Sequence, residues 1–88
     1  MIDEKQEDLN RRLSVVWTQI LRGTGGNCTI DLKRMYGNAV NLSNECNKEW
    51  VECRRLRKTT SKYLGLQKDL ELVLTNLEHY VTLASLMS

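Results

Sequence analysis

An apolar heptad repeat begins at Leu32 and constrains the fold more than any other feature of the sequence. When Leu32 is taken as an a position and Met35 as the next d position, the phase continues to Ala84. The later a positions are Ala39, Cys46, Cys53, Thr60, Gln67, Leu74 and Val81. The later d positions are Leu42, Glu49, Leu56, Tyr63, Leu70, Leu77 and Ala84. A phase held over about fifty residues is typical of a coiled coil or a helical bundle.

The composition agrees with helices throughout. The chain has no proline among its 88 residues, so no side chain forbids a long uninterrupted helix. Leucine dominates the apolar content, and leucine favours helices over strands. We therefore predict an all-α protein with a single helical domain over residues 1–88.

A second apolar stripe predicts a first helix over about 4–22. Its members follow one helical face: Leu9, Leu13, Val16, Trp17, Ile20 and Leu21. Asp3 is a candidate N-cap with Gln6 three residues later, as in a capping box. Gly23 directly after Arg22 is a helix C-terminal signal. We expect this helix to pack against the early part of the next one.

A glycine-rich segment over 23–28 separates the first two predicted helices. Such a segment could suggest a phosphate-binding loop, but no strand precedes it and no lysine closes it. A simple reversal between two helices is the better interpretation. The second helix is then predicted over about 30–58, capped by Thr29 or Asp31.

The sequence leaves two alternatives open after residue 58. Thr59, Thr60 and Ser61 follow a run of cations, and this order suits one helix ending and another beginning. Gly65 weakens the helix further. A bend within 59–65 would give a three-helix bundle. An uninterrupted helix to residue 86 would give a helical hairpin with a long C-terminal extension, as in a subunit of a coiled-coil assembly.

The C-terminal segment, 64–87, is the most apolar part of the chain. Its g positions add to the a and d stripe, and Leu72, Leu83 and Leu86 lie off that stripe as well. A first helix of about nineteen residues would cover roughly a third of the heptad track at 1.5 Å per residue. The surplus predicts self-association or a protein partner. The predicted interaction residues are Trp50, Leu66, Leu70, Val73, Leu74, Leu77, Tyr80, Val81 and Ala84.

A basic run gives an alternative function. Five cations occur within nine residues without an acidic residue among them: Arg54, Arg55, Arg57, Lys58 and Lys62. These side chains could contact phosphates of a nucleic acid or an acidic partner. The net charge of the chain is only +2, which is too small to favour nucleic acid by itself.

No pattern in the sequence supports catalysis or a bound metal. Cys46 and Cys53 are separated by six residues, unlike the short ligand spacing of a zinc site, and His79 is the one histidine. We expect no enzyme activity, no cofactor, no metal and no small-molecule substrate. The predicted function is that of a non-catalytic scaffold subunit.

The cysteines favour a reducing compartment. Their number is odd, and Cys46 and Cys53 would lie about 10 Å apart along one helix, too far for a disulfide. The acidic N-terminal residues do not resemble a secretion signal, and no apolar run is long enough for a membrane span. We expect an intracellular protein, cytoplasmic or nuclear.

Overall fold

Three α-helices form the described part of the protein. The computed structural model describes residues 2–22 and 30–87. They contain α1 (Ile2–Arg22), α2 (Ile30–Leu56) and α3 (Ser61–Met87), which pack together as a small three-helix bundle without strands. The all-α prediction and its three-helix-bundle alternative are confirmed. The predicted glycine-rich loop, the Thr29 cap and the side chain of Asp3 lie outside the described residues.

Contacts between the helices define an up-down-up arrangement. Asn47 of α2 lies 3.2 Å from Gln6, and Ser43 lies 3.1 Å from Asn10. α1 and α2 are therefore antiparallel. The ion pairs from α1 to α3 advance in the same direction on both helices, first at Lys5 and then at Arg12, so α1 and α3 are parallel. The bundle is elongated, with extents of 47 × 20 × 15 Å.

The core is formed by the apolar stripe of α1 and by the heptad repeat of α2 and α3, as the sequence predicts. Each helix presents one face inward because its buried residues recur every three or four positions. The main cluster contains Leu9, Leu13, Val16, Ile20, Leu32, Ala39, Cys46, Leu70, Leu74, Leu77 and Val81. At the edge of this core the Trp17 ring stacks on Tyr36, with centroids 4.6 Å apart, and joins α1 to α2.

A left-handed residue ends α2. Arg57 has φ of 56° and follows Leu56 directly. The Lys58 amide donates a hydrogen bond to the Cys53 carbonyl at 3.1 Å, and the Arg57 amide donates to the Arg54 carbonyl at 3.3 Å. This pair of bonds is a Schellman motif, in which the left-handed position is usually glycine.

Thr60 begins α3. Its hydroxyl oxygen accepts a hydrogen bond from the Tyr63 amide at 3.1 Å, and its carbonyl accepts from the Leu64 amide at 3.2 Å. The same hydroxyl donates to the Glu49 carboxylate of α2 at 3.3 Å. These contacts close the four-residue corner, 57–60, between α2 and α3.

The corner differs in detail from the sequence prediction. The non-helical residues are 57–60, so α2 ends two residues before the predicted position 58 and α3 already contains most of 59–65. Gly65 lies inside α3 with open space around it and has no part in the reversal. The alternative of a straight helix to residue 86 is wrong for this chain. The heptad phase persists across the corner because α2 and α3 both face the same core.

Candidate interaction surface

Four of the predicted interaction residues lie inside the bundle. Leu70, Leu74 and Leu77 are fully buried and Val81 is 1% exposed. They hold α3 to α1 and α2, and they present no surface to another chain. The interpretation of this stripe as surplus assumed that only α1 could cover it. That assumption is wrong because the corner at 57–60 folds α3 back onto α2. The part of the a and d stripe of α3 that α1 leaves open is therefore covered by α2.

The remaining predicted interaction residues occupy the edges of the bundle. Leu66, Val73 and Ala84 are partly buried against the core. Trp50 is half-buried on α2, and the Arg54 guanidinium lies 5.2 Å from the centre of its ring. Tyr80 is the one member of the predicted set with a large exposed side chain, at 52%.

A different face of α3 is apolar and exposed. Leu72 is 58% exposed, Leu83 43% and Leu86 77%. With two exposed polar residues they form one line along the helix, which we call the outer stripe: Leu72, Asn76, His79, Leu83 and Leu86. Tyr80 borders this line and its ring meets the His79 ring edge-on at 6.0 Å between centroids. In the sequence these three leucines lie off the a and d stripe, and that placement is the signal from which this exposed face could have been predicted.

The outer stripe carries no fixed charge. Glu71 and Glu78 are the only acidic residues between 70 and 87, and that segment contains no lysine or arginine. Both carboxylates turn toward α1, where Lys5 pairs with Glu71 at 3.1 Å and Arg12 pairs with Glu78 at 2.6 Å. The hydrogen bond to Glu78 raises the pKa of the Arg12 guanidinium. Both carboxylates of this segment are therefore in ion pairs with α1, and the outer face of the segment is neutral.

A polar layer crosses the bundle near the N-terminus of α1. Gln6 is fully buried, and its amide bonds the Asn47 side chain of α2 at 3.2 Å. Its carbonyl oxygen accepts from the Tyr63 hydroxyl at 3.2 Å, and the Gln67 amide bonds that hydroxyl at 3.2 Å. The capping-box role predicted for Gln6 is wrong, because its side chain reaches across the core. Within the described part of the chain, every fully buried side-chain nitrogen or oxygen has a hydrogen-bond partner.

The predicted basic run surrounds the corner between α2 and α3. All five cations are exposed. Arg55 pairs with Glu52, which lowers the pKa of that carboxyl, and the Lys62 ammonium lies 3.7 Å from a Glu49 carboxylate oxygen. Arg54 rests on the Trp50 ring. Three of the five cations thus have partners within the chain.

The two cysteine thiols within the described residues are buried in the bundle. Cys46 and Cys53 are free and buried. Burial raises the pKa of the Cys46 thiol to about 11, with smaller contributions from Asp69 and Glu45. Cys28 lies outside the described residues.

Two features are absent from the described residues, a metal site and a membrane span. They contain no group of three or more His, Cys, Asp or Glu side chains placed to hold a metal ion. None of their helices is both long and apolar enough to cross a membrane. No protein-family model, curated protein or solved structure matches the chain.

Proposed function

We propose that this protein is a non-catalytic helical interaction subunit that associates through the outer stripe, with itself or with another helical protein. One observation carries the proposal. Tyr80 and the three leucines of the outer stripe remain exposed although the bundle already has a well-packed core. Tyr80, Leu83 and Leu86 are successive i, i+3 neighbours on α3, and clustered exposed apolar side chains on a small domain often mark an interaction site.

The packing of the described residues leaves the outer stripe uncovered. The buried positions of α3 contact both other helices, so the fold does not need the outer leucines for its core. A helical face with large apolar side chains at this spacing suits a helix or a helix-lined groove of a partner. Tyr80 supplies an aromatic anchor at its edge, a residue type that often dominates interface energy.

The charged groups also support a structural role rather than catalysis. Glu49, Glu52, Glu71 and Glu78 each lie beside a lysine or arginine of the chain. Two of these pairs, at Glu71 and Glu78, join α3 to α1. The free buried thiols support a cytoplasmic or nuclear location, where disulfides are rare.

A paired set of double variants tests the proposal. Leu72→Glu with Leu83→Glu places two charges on the outer stripe. Leu21→Glu with Leu64→Glu is the matched control, because these leucines are also exposed, at 65% and 49%, but lie elsewhere on the bundle. Tagged chains are expressed in the native source, purified under mild conditions and weighed by native mass spectrometry. Circular dichroism establishes that both variants remain helical.

The proposal expects wild type and control to carry one further chain at fixed stoichiometry, whether a second copy or another protein. The stripe variant should lose it. Equal retention by all three proteins, or equal loss from both variants, would contradict the outer stripe as the binding surface.

A second candidate function is binding of nucleic acid at the corner. It is favoured by Arg57 and Lys58, which are exposed and form no ion pair with another described residue. Only two unpaired cations make this candidate weaker than the first, since phosphate affinity grows with the number of neutralised charges. The variant Arg57→Glu with Lys58→Glu should abolish salt-dependent binding of a labelled oligonucleotide. Unchanged binding by this variant would remove the corner as the site.

A further inference from the structure

We infer that Thr59 is a phosphorylation site, and that the enzyme it fits is a serine/threonine kinase that selects basic residues on both sides of its acceptor. The inference concerns the corner at 57–60 and is independent of the outer stripe. Three features support it: an exposed hydroxyl group outside the helices, cations on both sides of it, and the charge at the start of α3.

The structure distinguishes Thr59 from the two hydroxyl residues that follow it, Thr60 and Ser61. The Thr60 hydroxyl accepts from the Tyr63 amide at 3.1 Å and donates to the Glu49 carboxylate at 3.3 Å, so it is occupied by the cap of α3. Ser61 is already the first residue of α3. Thr59 is exposed, lies outside both helices and has no such hydrogen bond within the described residues. Its hydroxyl is therefore the accessible one of the three.

The backbone around Thr59 also suits a kinase. Phosphoryl transfer needs the acceptor hydroxyl in line with the γ-phosphate of ATP inside an enzyme cleft, so the acceptor segment has to protrude. Residues 57–60 form the non-helical connection between α2 and α3, and 57–59 are all exposed. The site thus lies on the most accessible stretch of backbone between these two helices.

Ser14 is the rival acceptor in the sequence, because Arg11 and Arg12 directly precede Leu13 and Ser14. Ser14 is exposed, but it lies in the middle of α1, where helical hydrogen bonds hold the backbone. The next cation after it is Arg22, so its cations lie on one side only. Ser14 therefore lacks two of the features that Thr59 has.

The cations around Thr59 lie on both sides of it. Arg57 and Lys58 directly precede it, and Lys62 follows three residues later. All three side chains are exposed, and the sequence has no acidic residue between Glu52 and Asp69. Kinases select substrates partly by charge, through acidic groups that complement basic residues near the acceptor. The corner therefore presents the charge pattern that such an enzyme recognises.

The reaction transfers the γ-phosphoryl group of ATP to the Thr59 Oγ1 atom. The bond between the γ-phosphorus and the bridging oxygen breaks, a new phosphorus–oxygen bond forms at Oγ1, and ADP leaves. The hydroxyl proton passes to the catalytic base of the kinase. The product carries a charge of about −2 at Thr59, which offsets the charges of Arg57 and Lys58.

The start of α3 gives the phosphate a structural effect. Its first turn contains no acidic residue, whereas the first turn of α2 contains Asp31. Negative charge near a helix N-terminus is stabilising because of the helix dipole. A phosphate on Thr59, directly before the Thr60 cap, supplies that charge beside the cations of the corner. Phosphorylation should therefore stabilise α3 and make the corner approximately neutral.

Phosphorylation of the full chain tests the acceptor. The chain is incubated with ATP and a purified serine/threonine kinase that requires basic residues on both sides of its acceptor, and tandem mass spectrometry locates the phosphate. We expect one phosphate per chain, on Thr59. Thr59→Ala should take up none, while Ser61→Ala should react as the wild type does. Phosphate on Thr60, Ser61 or Ser14 instead, or no incorporation at all, overturns the inference.

A charge reversal tests the recognition. Lys58→Glu with Lys62→Glu should slow phosphorylation at least about tenfold, because like charges then meet at the enzyme surface. Lys33→Glu with Lys68→Glu is the matched control: it changes the net charge equally at exposed positions outside the corner. The control should react at the wild-type rate. Equal rates for the two double variants would overturn recognition by the cations of the corner.

Thermal unfolding tests the effect of the phosphate on α3. The phosphorylated chain should melt about 2–5 °C above the unmodified chain at low salt, and by less in about 1 M salt, where the charges are screened. Circular dichroism follows both transitions. A melting temperature that is unchanged or lower after phosphorylation of Thr59 overturns the stabilising contact with the start of α3.

Discussion

Arg57 occupies a backbone conformation that non-glycine residues seldom adopt. Its φ of 56° lies in the left-handed region, where the Cβ atom is crowded by the backbone. The position is required by the Schellman motif that ends α2, and the two hydrogen bonds of that motif offset the strain. A single residue therefore stores conformational energy at the point where the chain reverses.

Replacing this residue by glycine should stabilise the protein. We expect Arg57→Gly to raise the free energy of unfolding by about 0.5–1 kcal/mol, since relief of the left-handed strain exceeds the extra entropy of an unfolded glycine. Urea denaturation measures the change. Lys58→Gly is the control, because Lys58 has no positive φ and should gain nothing. An Arg57→Gly midpoint at or below the wild type would contradict the role of strain.

The free energy of unfolding should depend on pH through the buried Cys46 thiol, within a limited pH range. Its pKa is raised to about 11 from an ordinary value of 9.0, so the folded chain keeps a proton that the unfolded chain loses between these values. The free energy of unfolding should therefore fall as pH rises from about 9 to about 11. The measurement is the difference between the pH profiles of the wild type and Cys46→Ala, which removes the contributions that the two proteins share. Parallel pH profiles for the two proteins would refute the effect.

The Tyr63 hydroxyl joins α3 to the polar layer, and its loss should be costly. We expect Tyr63→Phe to lower the free energy of unfolding by about 1–3 kcal/mol, because Gln6 and Gln67 each lose a buried hydrogen bond. Tyr80→Phe should change it by less than about 0.5 kcal/mol, since Tyr80 is half-exposed. Thermal or urea unfolding of both variants gives the comparison, and equal effects would argue against a buried network.

At the scale of elements, the corner determines how the three helices meet. α2 ends through backbone hydrogen bonds, and α3 begins through one side chain, Thr60, which also contacts Cys53 and Glu49 of the preceding helix. The hydroxyl thus caps one helix and anchors it to another. Its neighbour Thr59 is exposed and has no comparable contact within the described residues.

This difference between the two threonines predicts unequal effects of their replacement. Thr60→Ala should destabilise the protein by about 1 kcal/mol, the usual effect of losing an N-cap, with some further loss from the Glu49 contact. Thr60→Ser should retain most of the stability because the hydroxyl remains. Thr59→Ala should stay close to the wild type. If the two alanine variants unfold at the same denaturant concentration, Thr60 does not cap α3.

At the scale of the whole molecule, the structure assigns opposite roles to the two apolar lines of α3. Leu74 belongs to the line that packs inside the bundle, and Leu72 belongs to the outer stripe. Both residues look alike in sequence, two positions apart in a leucine-rich helix. The heptad phase puts Leu74 on the a and d stripe and Leu72 off it, and the path of α1 and α2 around α3 buries the first and leaves the second exposed.

Leu74 and Leu72 should therefore respond differently to truncation. Leu74→Ala should lower the free energy of unfolding by about 2–5 kcal/mol through lost burial and a residual cavity. Leu72→Ala should change it by less than about 0.5 kcal/mol when the protein is dilute enough to be monomeric. Denaturation followed by circular dichroism measures both. A small effect at Leu74 would show that the inner line is not the core.

Local pattern was sufficient to predict the helices and the faces they turn inward. Leu9 and Leu13 of α1, like Leu70 and Leu77 of α3, repeat at helical spacing, and this repetition depends only on near neighbours in the sequence. The corner was partly predictable from the sequence, because a run of cations followed by Thr60 is typical of one helix that ends and another that begins. Its exact place was not, because Arg57 stands where glycine would have given a clear signal.

Tertiary packing decided what periodicity could not. Whether Leu74 met a helix of its own chain or a partner depended on the reversal at 57–60, which brought α2 over a surface that α1 alone could not cover. The same reversal brought Gln6 within reach of Tyr63, fifty-seven residues away, and buried a polar side chain that resembled a helix cap. Sequence by itself determined which side chains each helix could bury, since that depends on spacing along one helix. The structure determined which were buried, since burial depends on the neighbours that long-range folding supplies.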